Sequence, residues 1–228
     1  MAASEGFWGP IDSLHTFCEV SYKTTYYVAE PYNALGSLIY VIAAHIHLHK
    51  LGSIGRPVAW QLKFAVYSLL VVGWGSFLFH ATMRYHMELL DEIPMIMFVG
   101  SGCFLIDGCH PWFKSQKEGR SLVLGSVVLN TLCIALYLLT GSFAFFITAF
   151  TANTVVLLAL VTTAGLELDA LKHLVTRSAF MIIMARVAWE VENHACKSYP
   201  WLWPLHNVWH LLSAWAAYDL ISTGCEPC

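Results

Sequence analysis

Seven apolar stretches, each close to the length that crosses a bilayer, follow one another to the end of the chain with only short connections between them. They run over residues 32–49, 58–80, 89–107, 121–139, 143–164, 174–194 and 201–222. An apolar helix of about 20 residues spans the hydrocarbon core, and only helices or closed barrels satisfy their backbone polar groups there. The pattern predicts an all-α membrane protein: a seven-transmembrane helix bundle over residues 32–222, with an N-terminal segment 1–31 and a short tail 223–228. Composition agrees. Charged residues make up 12% of the 228, about half the share of an ordinary soluble domain, so most of the outer surface has to meet lipid. Nine Trp, ten Tyr and thirteen Phe suit aromatic belts at the two interfaces.

The net charge of -3 argues against nucleic acid as a partner. The expected surroundings are the lipid bilayer itself, with no obligate protein partner. The seven Cys are not spaced as a small disulfide scaffold, and the terminal Cys225-x-x-Cys228 alone is a weak motif. Residues 1–31 show no basic stretch leading into an apolar core, so no cleavable signal peptide is expected there.

Basic residues set the orientation. With the N-terminus outside the cytosol, the cytosolic connections carry Lys50, Arg56, Lys63, Lys114, Lys117, Arg120, Lys172 and Arg177. The opposite side carries only Lys23, Arg84 and Lys197. Cytosolic loops collect positive charge, so the N-terminus is predicted lumenal or extracellular and the C-terminus cytosolic.

Ionisable residues inside spans are costly and usually face a cavity or a partner. The second stretch ends with Ser76 and His80 at i, i+4, on one helix face. The third begins around Glu88, Asp91 and Glu92, and the seventh begins with His206 and His210, again at i, i+4. The predicted topology brings these ends to the same lumenal depth. Three imidazoles with one open position form the catalytic pattern for zinc. A nearby carboxylate, Asp91, suits proton transfer, and the Ser76 hydroxyl suits a hydrogen bond to a developing oxyanion. The i, i+4 His pair is weak on its own: His45 and His49 repeat it at the cytosolic end of the first stretch, where they read as interfacial. Glu88 and Glu92 read as acids that cap or solvate a helix start. On the sixth stretch Arg186, Glu190 and Asn193 share a face, and Arg186 is expected to pair with Glu190. Asp219, near the cytosolic end of the last stretch, reads as interfacial.

Three blocks then carry a resemblance. The first is Gly6-Phe7-Trp8-Gly9-Pro10, followed by Phe17-Cys18-Glu19 and Tyr27-Val28-Ala29-Glu30-Pro31-Tyr32-Asn33. The second runs from Gly75-Ser76-Phe77-Leu78-Phe79-His80-Ala81-Thr82 to Leu89-Leu90-Asp91-Glu92-Ile93-Pro94-Met95. The third is His206-Asn207-Val208-Trp209-His210. In their order and spacing the chain resembles the alkaline ceramidase family of seven-helix zinc hydrolases.

The resemblance implies zinc on His80, His206 and His210, proton transfer by Asp91 and carbonyl assistance by Ser76. It implies a ceramide, dihydroceramide or phytoceramide substrate, cleaved to a sphingoid base and a fatty acid in endoplasmic reticulum or Golgi membranes. It further implies a disulfide between Cys18 and Cys196, and a supporting role for Glu192. A calcium site in the N-terminal segment is implied too, on Glu19, Glu30 and the Phe17 carbonyl. Thr16 and Ser21 stand where the family often has Asp and Asn, which removes one charge and one amide oxygen from that site. A seven-helix zinc-containing receptor of the progestin and adiponectin receptor type shares the three-histidine pattern, but with a cytosolic N-terminus. A transporter or channel would need more ionisable groups at mid-depth than these spans offer.

Overall fold

The computed structural model describes residues 5–53, 58–107, 116–167 and 169–223. Among the described residues the fold is seven helices with no strand: α1 Pro31–Ser53, α2 Trp60–Thr82, α3 Tyr85–Asp107, α4 Gln116–Thr140, α5 Phe143–Glu167, α6 Asp169–Ala195 and α7 Pro204–Thr223. Arg56, Lys114 and the tail with Cys225 and Cys228 lie outside the described residues. α1 packs between α2 and α7, α3 bridges α2 and α5, and α6 lies against α5 and α7. α4 sits outside, on α3 and α5.

Among the described residues three stretches are long and apolar enough to cross a membrane: α1, α2 and Phe143–Thr163 of α5. α4 adds the shorter apolar run Leu124–Thr140. The chain is a membrane protein. α3, α6 and α7 turn polar groups inward. Glu88, Asp91, Glu92, Glu192, His206, His210 and Asp219 are all buried.

Local chemistry sets the helix ends that matter for the site. Proline suits a first helical turn, where its missing N–H costs nothing, and α1 opens at Pro31. Its next two N–H groups, of Tyr32 and Asn33, donate to the two oxygens of Glu19 at 3.0 and 2.8 Å. α2 stops where Met83 turns left-handed (φ 51°) and its N–H bonds back to the Phe79 carbonyl. α3 starts at Tyr85, four residues before the apolar stretch in the sequence, because the Asp12 carboxylate receives the Tyr85 N–H at 2.7 Å. α7 starts at Pro204 instead of residue 201, since Pro200–Leu202 form a separate 3-10 turn.

Pro94 lies inside α3 and has no N–H to give the Leu90 carbonyl one turn back. Gly75 of α2 approaches that same carbonyl: a Cβ at position 75 would stand 2.2 Å from it. This close approach sets Ser76 against Asp91.

The N-terminal segment is strapped across the top of the bundle. Ala29 and Glu30 N–H groups donate to the Ala81 and His80 carbonyls, each at 2.9 Å. Leu14 and His15 N–H groups donate to the two Glu88 oxygens at 2.6 and 2.8 Å. Glu88 is therefore no solvated helix-start acid. It is fully buried and clamps the strap. Glu92 is likewise buried, and its carboxylate accepts the Tyr137 hydroxyl.

At the far end, Asp219 is paired inside the bundle. It is 0% exposed and takes two 2.7 Å hydrogen bonds from Arg177. His45 and His49 are exposed, as their interfacial reading requires, whereas His47 between them is buried and bonds the Tyr218 carbonyl through Nε2 at 3.1 Å. Arg186 pairs with Glu190 as the spacing predicts, at 2.5 Å.

Arg177→Met should strand the Asp219 carboxylate and lower stability, because Asp219 is 0% exposed and takes two hydrogen bonds from Arg177. Thermal melts of detergent-solubilised protein measure this. The double variant Arg177→Met, Asp219→Leu should recover most of the loss, and identical melts for all forms would refute the pairing's role.

Candidate metal centre

His80 comes from the last turn of α2, and His206 and His210 from the first two turns of α7. All three are buried, 1 to 3% exposed. One nitrogen from each lies within 4.8 Å of the others. Nε2 of His80 and Nε2 of His206 are 3.2 Å apart. Two nitrogens bound tetrahedrally at about 2.0–2.1 Å to one zinc ion would stand about 3.3 Å apart. The donor set and its spacing thus fit a zinc ion on these three rings.

Buried metal-binding imidazoles usually give their second nitrogen to a carboxylate or carbonyl, which fixes the tautomer and ring orientation. Here His80 Nδ1 lies 2.8 Å from Glu30 Oε2, and His206 Nδ1 lies 3.0 Å from Glu192 Oε2. Both carboxylates are themselves held. Glu192 Oε1 accepts the Cys18 N–H at 3.1 Å. Glu30 Oε2 also accepts Asn33 Nδ2 at 3.1 Å, and Asn33 Oδ1 accepts Asn207 Nδ2 at 3.0 Å. A chain of side chains therefore runs from α7 through α1 to the α2 histidine. Gly36 makes room for it: a Cβ there would fall 1.8 Å from Asn207 Oδ1. Among the described residues, His210 Nδ1 has no hydrogen-bond partner.

The Cys18–Cys196 disulfide, expected from the family resemblance, is formed, with Cα atoms 5.3 Å apart. It ties the strap to the end of α6 and so keeps Glu192 beside Cys18. The Phe17 ring lies over the imidazoles, its centroid 4.1 Å from that of His206 and 4.8 Å from that of His80.

Ser76 stands beside Asp91. Both line a narrow cavity of about 50 Å³, together with His206 and His210. The rest of its wall is largely aromatic and aliphatic, including Phe143, Phe146, Phe150, Trp189 and Trp209. One end of the cavity is thus chemically equipped and the remainder is apolar.

Of the residues expected to bind calcium, Glu19 and Glu30 are buried within electrostatic reach of one another, and Ser21 bonds to Glu30. Burial raises the Glu19 carboxyl above its ordinary range, opposed by its two backbone donors. Thr16 is exposed. Glu30 Oε1 is buried without a hydrogen-bond partner among the described residues.

Three features escaped the sequence reading. Glu30 and Glu192 stand directly behind histidines, although 50 and 14 residues separate the pairs. His15 lines the cavity, and burial lowers its pKa to about 4. No local motif announces any of these, because each depends on where the strap crosses the helices.

Fold and site define a helical-bundle membrane protein with a buried three-histidine centre opening on an apolar cavity. A family model described as Ceramidase matches residues 9–225, and the chain belongs to the ceramidase family. It is 33% identical over 130 residues to alkaline ceramidase 3 of Mus musculus, covering 57% of this chain and 47% of the mouse protein. It is 34% identical over 97 residues to alkaline ceramidase YPC1 of Saccharomyces cerevisiae, covering 40% of this chain and 28% of the yeast protein. The alkaline ceramidase of Arabidopsis thaliana is 22% identical over 222 residues, 93% of this chain and 82% of the plant protein. The chain thus spans less than half the length of the mouse and yeast relatives.

Glu192→Ala should weaken metal affinity about 10- to 100-fold, the usual cost of removing a carboxylate behind a metal-binding histidine. Chelator titration followed by metal analysis reads this directly. An unchanged titration would mean that Glu192 merely holds the Cys18 backbone.

Proposed function

We propose that the chain is a zinc-dependent amidase of the membrane, hydrolysing a ceramide, dihydroceramide or phytoceramide to a sphingoid base and a free fatty acid. The observation that carries this reading is the convergence of three imidazole nitrogens within 4.8 Å on one apolar cavity that Ser76 and Asp91 also line. The family match and the relatives named alkaline ceramidase support it.

Zinc on His80, His206 and His210 would polarise an amide carbonyl and make a water nucleophilic near neutral pH. The chain's own residues do the rest. Glu30 and Glu192 hold His80 and His206 with Nε2 turned to the centre. Asp91 takes the proton of the attacking water as the new C–O bond forms, and delivers a proton to the amine nitrogen as the C–N bond breaks. Ser76 lines the cavity beside Asp91, and its hydroxyl donates to the carbonyl oxygen as that atom gains charge. The Phe17 ring caps the centre and limits water to what the reaction uses. The aromatic cavity wall takes the hydrocarbon of a substrate that the bilayer already concentrates.

Seven transmembrane spans with a lumenal N-terminus, in endoplasmic reticulum or Golgi membranes, belong to the same reading. The eight-to-three bias of basic residues supports the orientation. Calcium in the N-terminal segment is part of it as well: the unpartnered Glu30 Oε1, close to the buried Glu19 carboxylate, suits a hard cation.

His80→Ala and His210→Ala should lose zinc and ceramide hydrolysis together, measured as metal content and release of free base from purified protein. Asp91→Ala should keep its zinc and turn over about 10²- to 10⁴-fold more slowly. Normal hydrolysis by His80→Ala would sink the mechanism. A glycosylation acceptor fused to the N-terminus should be modified in cells. An unmodified acceptor would favour the receptor-like orientation instead.

A further inference from the structure

His15 is built into the cavity with unusual care for a residue no catalytic step uses. Both oxygens of the buried Glu88 carboxylate hold the backbone there, through the N–H groups of Leu14 and His15. The imidazole is stacked on Phe143 of α5, with centroids 4.8 Å apart and planes 15° apart. It also stacks with Trp189 of α6, at 5.7 Å and 20°. Phe17 meets its edge at 4.8 Å, and the same Phe17 ring touches His206. The His15 ring therefore stands one aromatic ring away from the metal centre, in the wall of the cavity that holds Ser76 and Asp91.

The other polar side chains of that wall have work to do. Glu92 takes the Tyr137 hydroxyl, Arg186 bonds Glu190 and Thr151, and Tyr40 bonds Ser213. No hydrogen bond within the described residues reaches the His15 ring; only burial and distant charges act on it. His15 is half-buried and its ring nitrogens are not sealed off, so they are open to bond something entering the cavity. A neutral imidazole offers one N–H donor and one acceptor, the complement of a hydroxyl, which is also one donor with acceptor lone pairs. In a ceramide-type lipid the polar atoms are the amide and the hydroxyls on neighbouring carbons. The amide belongs to Ser76, Asp91 and the metal, and the hydroxyls are what remains for His15.

We propose that His15, resting on the ceramidase reading above, is a specificity-determining residue that hydrogen bonds a hydroxyl of the sphingoid base beside the scissile amide. Contact with Phe143 and Trp189, which also touch each other, holds one face of the ring against the wall, so the bond fixes how far along the cavity the base can slide. That register in turn sets the amide carbon against the centre. An apolar cavity alone cannot supply such a register, because hydrocarbon contacts vary little as a chain slides.

The test compares purified, zinc-loaded wild type with His15→Phe, which keeps the stacking, and His15→Gln, which restores a donor and an acceptor. Each is assayed for kcat and KM on ceramide and on analogues lacking the 1-hydroxyl or the 3-hydroxyl. His15→Phe should lose about 5- to 10-fold in kcat/KM on ceramide, the net worth of one neutral hydrogen bond. His15→Gln should recover part of it. On the analogue missing the hydroxyl that His15 reads, the ratio of wild type to His15→Phe should collapse toward one. An equal loss on all three lipids, or no loss on ceramide, overturns the inference while leaving the ceramidase reading intact. A wild type that hydrolyses none of the lipids overturns both. Zinc content and melting temperature of each variant separate a lost contact from a damaged fold.

Discussion

A carboxylate placed behind an imidazole is the interaction on which this site is organised. Glu30 behind His80 and Glu192 behind His206 are buried pairs at 2.8 and 3.0 Å. A lone carboxylate in a low-dielectric bundle is strongly disfavoured, and an imidazole whose ring is free to turn makes a poor ligand. Each group answers the other's requirement. The pairing also dictates which parts of the chain must meet. Glu30 precedes α1, Glu192 closes α6, and the histidines come from α2 and α7, so four separate parts of the chain are drawn to one point.

The strap over that point is as important as the helices beneath it. It brings Glu30 to His80 through backbone bonds to Ala81 and His80, and it brings Phe17 over the rings. The Cys18–Cys196 link and the Glu192 contact hold its middle, and Glu88 holds the residues before it. A lid secured at three places has little freedom to open widely. An apolar substrate would then reach the centre sideways through the aromatic cavity. That fits a lipid that already lies in the bilayer, and it keeps bulk water from competing for the charges inside.

The two ends of the bundle treat buried polarity differently. At the strap end the polar groups are many, interlinked and directed at one centre. At the far end a single bidentate Arg177–Asp219 pair joins α6 to α7, with His47 of α1 bonded to the Tyr218 carbonyl nearby. The far-end contacts set the packing of three helices. Between the two ends the interior is mostly hydrocarbon, crossed by the Asn130–Asn153 and Tyr40–Ser213 hydrogen bonds, with a second small apolar cavity bordered by Phe98, Leu157 and Leu220. Chemistry is thus confined to one depth of the membrane.

How much of this is legible before folding differs by feature. The number of helices, their order and five of the seven starting points within a few residues follow from apolar length and from punctuation such as Gly52 and Gly141, since hydrocarbon thickness dictates helix length. The pairing of His206 with His210, and of Arg186 with Glu190, follows from the 3.6-residue repeat. The gathering of His80, Ser76 and Asp91 follows from which helix ends share a side. Where the sequence misleads is in reading each acid by its own neighbourhood: Glu88 looked like a helix cap and Asp219 like an interfacial residue. Both are buried because a partner distant in sequence, the strap for one and α6 for the other, comes back to meet it.

The sequence by itself determined a helical membrane bundle and the residues able to hold a metal, because apolar length and helical periodicity act locally along the chain. Only the tertiary structure decided which carboxylate stands behind which histidine, and that His15 faces the cavity. Those choices depend on the path of a 25-residue irregular strap (residues 6–30) across the helix ends, whose route is fixed by contacts with distant segments and by no periodicity of its own.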